Sequence, residues 1–348
     1  MPRKSIANRL VCAIACAGLA LVPLAPAGAQ QNFYAGKQIT VIVSSAPGGG
    51  YDAITRTVGR HLGKHIPGAP TVIVQNMNGA GGVVAANHLY NISPRDGLVI
   101  AQLQNTVPFE PMYANKQARY EPTRLNWLGS PSKETALVIA WSQSPFQTLE
   151  DATRREIILG ATGASSTPAF YARLLADVFA LKIKLISGYP GQAEQFLAME
   201  RGENEGGPST FLSSLKVMRP SWIPEKKIRL LLQYALESNP ELKDVPFALD
   251  LLKNRPADRK LMEIASAPLA LGRPFAAPPD VPADRLAQLR KGFVDTFTDR
   301  EFLADCGRQG LECDTPSAGD DIQKIVADAY ATSPDIIARL RRIHASRL

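Results

Sequence analysis

Residues 39–53, ITVIVSSAPGGGYDA, carry the reading on which the fold turns. Ile39–Ser44 is apolar and β-branched, as a buried strand requires. Ala46-Pro47-Gly48-Gly49-Gly50 is a turn, and Tyr51–Ile66 is spaced as a helix. The pattern repeats at once, with VIVQN (72–76) as strand, NMNGAGG as a second glycine turn, helix 83–92 and strand LVIAQL (98–103). Strand and helix alternating in units of about 30 residues predict a βαβ series with parallel pairing. A second series follows, with strands at TALVIAW (135–141), EIILG (156–160), IKLIS (183–187) and 228–235, and helices at 168–180 and 192–201. PLALGRP (268–274) reads as one more strand, and helices are expected over 282–297, 319–332 and 334–344. The expectation is α/β, two lobes with a mainly parallel sheet in each. Lobe 1 would be 30–128 with 236–348, lobe 2 would be 129–235, and a cleft between them would take the ligand.

Outside this frame, the first 29 residues read as an export signal. Arg3, Lys4 and Arg9 precede the apolar run LVCAIACAGLALVPLAP, and Ala27-Gly28-Ala29 has the small-residue form of a cleavage site. The apolar run is too short and too interrupted for a membrane anchor. Those three cations are among 39 basic residues set against 32 acidic ones, so the exported chain would carry about +4. That excess is scattered, which argues against a nucleic-acid partner. Cys12 and Cys16 fall in the leader. Cys306 and Cys313 then read as a disulfide or as two buried thiols, and a turn at Gly310 favours the bridge.

Catalytic motifs are thin. Gly48, Gly50 and Ala53 fit a dinucleotide fingerprint, but no acid lies between Ala53 and Arg95 to hold a ribose, so no cofactor is implied. His61 and His65 share a helix face without the glutamate of a metalloprotease, which leaves a solvated face and no metal site. His88 and His344 stand alone. A secreted α/β hydrolase using Ser165, Ser166 or Ser209 is the alternative, as is a binding module feeding a sensor.

What the loops offer is anion binding. Glycine turns that open helices present backbone N–H groups at a partially positive helix end. Gly50 belongs to the first turn, Gln104 and Asn105 follow the third strand, and Thr162 opens the TGASST loop of the other lobe. None of these loops contains Lys or Arg, so N–H groups and hydroxyls would hold a carboxylate without a salt bridge. Asp52 would organise the first turn or a bridging water, or meet a ligand amine or hydroxyl. Tyr51, Phe109, Phe170 and Tyr189 suit either an apolar ligand body or the core.

ITVIVSSAPGGGYDAITRTVGRHL, VIVQNMNGAGG, ILGATGASSTPAFYARLL, LISGYPGQAEQFLAMERG and LALGRPFAAPPDVPADRLAQLRKGF together resemble the Bug-type receptors. These are the extracytoplasmic solute-binding proteins of tripartite tricarboxylate transporters. The resemblance implies a periplasmic, non-enzymatic, monomeric Venus flytrap that closes on a small organic acid and delivers it to the membrane subunits. It places Ser45, Gly49 and Asp52 at the ligand from the first loop, Ala80 and Gly81 from the second, and Ser165, Ser166 and Tyr189 from the far lobe. Asn78 and Thr167-Pro168 depart from the family's usual Pro and His.

Overall fold

The computed structural model describes residues 33–48, 50–161, 166–189 and 191–346. The export signal lies outside them, as do Gly49, Thr162 and Ser165.

The strands are β1 (Gln38–Val43), β2 (Thr71–Asn76), β3 (Val99–Gln102), β4 (Asn126–Ser130), β5 (Ala136–Trp141), β6 (Ile157–Ala161), β7 (Ile183–Ser187), β8 (Gly206–Phe211), β9 (Ile228–Tyr234), β10 (Phe275–Ala277) and β11 (Ser317–Ala318). The helices are α1 (Gly50–Leu62), α2 (Val83–Asn91), α3 (Asp151–Arg154), α4 (Thr167–Phe179), α5 (Gln192–Glu200), α6 (Leu212–Met218), α7 (Ala248–Leu251), α8 (Pro256–Leu271), α9 (Ala283–Phe297), α10 (Arg300–Arg308), α11 (Gly319–Tyr330) and α12 (Pro334–Ala345). None is long and apolar enough to cross a membrane. Two sheets result, in the orders β11-β4-β10-β3-β1-β2 and β7-β6-β8-β5-β9.

Both sheets are mixed, not mainly parallel as the alternation suggests. β1 pairs in parallel with β2 and β3, and β6 with β7 and β8. The pairs β10–β3, β10–β4, β11–β4, β5–β8 and β5–β9 are antiparallel. The cause is the traffic between sheets. β10 and β11 enter the first sheet from the crossover side and begin where β3 and β4 end, with Phe275 opposite Gln102 and Ser317 opposite Ser130. β5 likewise enters the second sheet and begins where β8 and β9 finish, with Ala136 opposite Phe211 and Tyr234. An entering strand beside an exiting one has to be antiparallel.

The stretch PLALGRP is not a strand. Leu261–Leu271 is almost wholly buried and continues α8 through Pro268. An internal proline forfeits one ladder bond. Tyr171 Oη meanwhile donates to the Ala265 carbonyl at 2.7 Å, one turn earlier. Burial on all sides outweighs the propensity that argues against a helix here. One apolar cluster joins Ile42 and Ala101 of the first sheet to Val138, Leu159 and Leu232 of the second, through Leu261, Leu269 and Leu340. The chain after β9 thus serves both sheets, with α12 packing on α4 as well as on α8.

Cys306, at the end of α10, is joined to Cys313 across a Cα–Cα distance of 6.4 Å. His61 and His65 do not form a solvated face. They meet Asp305 and Asp299 at 3.1 and 2.8 Å, in a charged seam between the end of α1 with the turn after it and α10 with its N-cap. Among the described residues His61, Asp299 and Glu301 could each offer a cation one ligand atom, but the Lys64 ammonium already sits 2.6 and 2.5 Å from the two carboxylates.

Candidate functional site

The parallel part of the first sheet brings both glycine turns to one edge. Asp52, only 4% exposed, holds the first turn closed. Its carboxylate accepts from the Gly48 N–H at 2.9 Å, from Arg56 Nε at 3.0 Å and from Asn76 Nδ2 at 2.8 Å. Asn76 also donates to the Ser45 carbonyl at 3.0 Å, which ties the end of β2 to the end of β1. The Arg56 bond, with help from Gly48 and Asn76, holds the Asp52 carboxyl down at about 2 despite its burial. Asp52 is therefore saturated by protein and organises the loop. Asp52→Asn is expected to cost about 1–2 kcal/mol at pH 7, because half-exposed Arg56 is partly screened. A lowered folded-state pKa stabilises above the ordinary carboxylate range and fades as pH falls from about 4 toward 2. The gap in urea midpoint between wild type and variant should accordingly narrow from pH 7 to pH 3.

The second turn is a run of left-handed backbone, with positive φ at Gly79 (140°), Ala80 (46°), Gly81 (64°) and Gly82 (98°). Within it the Gly82 N–H closes on the Gly79 carbonyl at 2.9 Å and the Val83 N–H bonds to the Ala80 carbonyl, so an anion here would meet the N–H groups before Gly82. A Cβ on Gly81 would meet nothing within 4 Å, whereas one on Gly82 would strike Val107 and Ser44. Gln104 is pinned beside this turn, its N–H bonded to Ser44 Oγ at 2.9 Å and its Nε2 to the Ser44 carbonyl at 3.2 Å. Asn105 engages Tyr51, accepting from the phenol at 3.2 Å and donating its own N–H back at 3.3 Å.

A cation from outside these loops, none of which contains Lys or Arg, reaches the first turn. The Arg273 guanidinium lies 5.2 Å over the Tyr51 ring, and its Nη1 is 2.8 Å from where a Gly50 Cβ would stand. It also sits 3.6 Å from Glu134, a buried carboxyl that accepts from Ser213 Oγ at 2.7 Å and whose pKa burial raises. Arg273 follows α8 on the return crossover, some 220 residues from the turn it joins, so no local pattern marks it.

From the second sheet, Ser166 caps α4 and accepts from the Ala169 N–H at 3.4 Å. A cavity of about 350 Å³ brings Gly81, Gln104 and Thr106 on one side to Ser166, Thr167 and Pro168 on the other. Its remaining wall includes Glu110, Tyr113, Phe170 and His344. The Tyr113 and His344 rings are stacked at 4.9 Å and 8°, with Phe170 at 5.6 and 5.9 Å from them. Burial pushes the His344 pKa below its ordinary value, so the imidazole is neutral at pH 7. His344 reads as isolated in sequence; α12 carries it into the cleft by packing on α4.

Of the sequence-derived residues, Gly81, Gln104 and Ser166 meet in this cavity. Ser45, Gly50, Asp52 and Asn105 frame the adjoining first turn. Ala80 faces outward with Val84 and Asn87, and Tyr189 accepts from Asn204 Nδ2 at 3.3 Å beside β7. Of the aromatics, Phe170 lines the cavity and Phe109 is core. A second cavity, about 290 Å³, lies along the crossovers among Glu134, Lys216, Glu241 and Glu312. It touches neither glycine turn, and burial next to Glu134 lifts Glu312 to about 7. An excess of carboxylates makes it a poor anion site.

The family model for the tripartite tricarboxylate transporter family receptor matches residues 54–341. A UPF0065 protein in the gbd 5'region of Cupriavidus necator is 24% identical over 314 residues, covering 87% of this chain and 88% of the relative. The structure resembles a TctC solute-binding protein from Polaromonas (TM-score 0.70, 20% identity, 88% of this chain and 99% of that one). It also resembles two R. palustris proteins, one with adipate (0.60, 16%, 88% and 97%) and MatC with bound malate (0.58, 16%, 88% and 99%). At these identities the likeness establishes the two-lobed fold. With the family model spanning most of its length, the chain belongs to the tripartite tricarboxylate transporter receptor family.

Proposed function

We propose that this receptor is exported through its first 29 residues, binds a small organic carboxylate in the cleft between its sheets, and delivers it to the membrane subunits of a tripartite transporter. It acts as a monomer in the periplasm, with lobe 1 (30–128 and 236–348) closing on lobe 2 (129–235). The carrying observation is the cavity that joins Gly81 and Gln104 from one sheet to Ser166 and Thr167 from the other. The left-handed second turn and the partially positive N-terminal end of α4 suit a carboxylate. Arg273 adds positive potential at the first turn. The adipate and malate held by two structures of the same fold support the ligand class. A binding role is favoured over hydrolysis because Ser166 caps its helix and Ser209 is buried in β8.

A thermal-shift screen of mono-, di- and tricarboxylates tests the reading. Ligand at 100 times its dissociation constant should add about 2.7 kcal/mol, and the acid should be recovered chemically unchanged. Stabilisation by sugars, amines or metal ions with none by carboxylates would overturn it.

A further inference from the structure

The cavity is not symmetric in charge. Its carboxylate-binding features are the Gly81 turn and the start of α4, and Arg273 stands beside the neighbouring Gly50 turn. Among the described residues of the wall the one charged side chain is Glu110. Asn115 Nδ2 donates to Glu110 Oε2 at 2.8 Å; Oε1 takes no hydrogen bond from a described residue, and Glu110 has no ion-pair partner among them. Arg173 Nε donates to the Ile343 carbonyl at 3.0 Å, and Arg341 Nε to the Met112 carbonyl at 2.8 Å. His344, held neutral by burial, brings no charge. The lining also includes the flat stacked rings of Tyr113 and His344, with Phe170 tilted against both.

Each feature selects. A second carboxylate directed at Glu110 would meet like charge in a half-enclosed site, where Coulomb terms are larger than in water. An ammonium there would gain a charge-assisted hydrogen bond to Oε1. A planar body stacks on the ring shelf at little conformational cost, while a flexible chain gains less. We propose that the preferred ligand is a planar monocarboxylate that also carries an ammonium, with Glu110 as the residue that sets this specificity. The proposal rests on the cleft being the carboxylate site.

The test is calorimetric titration of the mature protein with benzoate, 4-(aminomethyl)benzoate and terephthalate, which share a ring and differ at one substituent. Adipate and malate serve as non-aromatic controls. The aminomethyl acid should bind at least tenfold tighter than benzoate, and terephthalate at least tenfold weaker. In Glu110→Gln, which keeps an acceptor for Asn115, the three affinities should converge to within about threefold. Terephthalate equalling the aminomethyl acid in wild type overturns the proposal. So does an unchanged order in Glu110→Gln, or binding of adipate or malate with none of the aromatic series. Should no acid of either kind bind, the cleft is not a carboxylate site and the broader reading falls as well.

Discussion

Gly272→Ala should lower the melting temperature by at least about 10 °C or leave no soluble protein. Gly272 ends α8 at φ 55° and ψ −100°, a region that side-chain-bearing residues avoid. Strain of that kind costs on the order of 1–3 kcal/mol by itself. The larger effect is steric, since a Cβ would stand 1.8 Å from the Ser132 carbonyl oxygen and 2.7 Å from its carbon. That obstacle is backbone and cannot swing aside. Here the outgoing and returning crossovers lie against each other. Glu134 N–H donates to the Leu269 carbonyl at 2.9 Å, the Arg273 N–H to Ser130 Oγ at 2.9 Å, and Ser130 Oγ to the Ser132 carbonyl at 2.8 Å. Pushing the crossovers apart would break these bonds and move Arg273 away from Tyr51. A melting temperature within 2 °C of wild type would show that the crossovers are not a close-packed joint.

The local part of this architecture is legible in the sequence, and the non-local part is not. Ile39–Ser44 followed by a glycine turn and an amphipathic helix announces β1 and α1, because strand burial and helix periodicity are properties of neighbouring residues. The same holds for β2, α2 and β3, and for the placement of Gly81, Gln104 and Ser166 at strand ends. β4 escapes notice because NWLGS is short and ends in Gly-Ser, and β8 because GGPSTF opens on two glycines and a proline. Gly206 there is required by packing, since its Cβ would lie 2.1 Å from the Ile139 carbonyl oxygen. Pro268 misleads because a proline weighs against a helix until burial on every side is known. The mixed sheets follow from where the chain crosses over, which no window of residues contains. Arg273 and His344 join the site from the crossover and from α12, so a search confined to the glycine loops finds neither of them.

Gly81→Val should weaken carboxylate binding at least 100-fold while lowering the melting temperature by only a few degrees. Gly81 has φ 64°, and the space beside it is empty of protein within 4 Å because it opens on the cavity. A valine has two courses. Keeping the left-handed backbone places an isopropyl group in the room the ligand needs. Relaxing to a right-handed conformation removes the strain but breaks the turn that the Gly82 N–H closes on the Gly79 carbonyl, and so displaces the loop from the cavity. Binding is lost either way, so the outcome does not depend on how the strain resolves. Strain alone is separated from position by Gly36→Val. Gly36 has φ 66° with nothing within 4 Å, in the turn before β1 and away from the cleft. The two variants should lose similar stability, on the order of 1–3 kcal/mol, and Gly36→Val should keep wild-type affinity. Wild-type affinity in Gly81→Val would mean that the second turn is structural only, and the carboxylate would then have to be held by the Gly50 turn and Arg273.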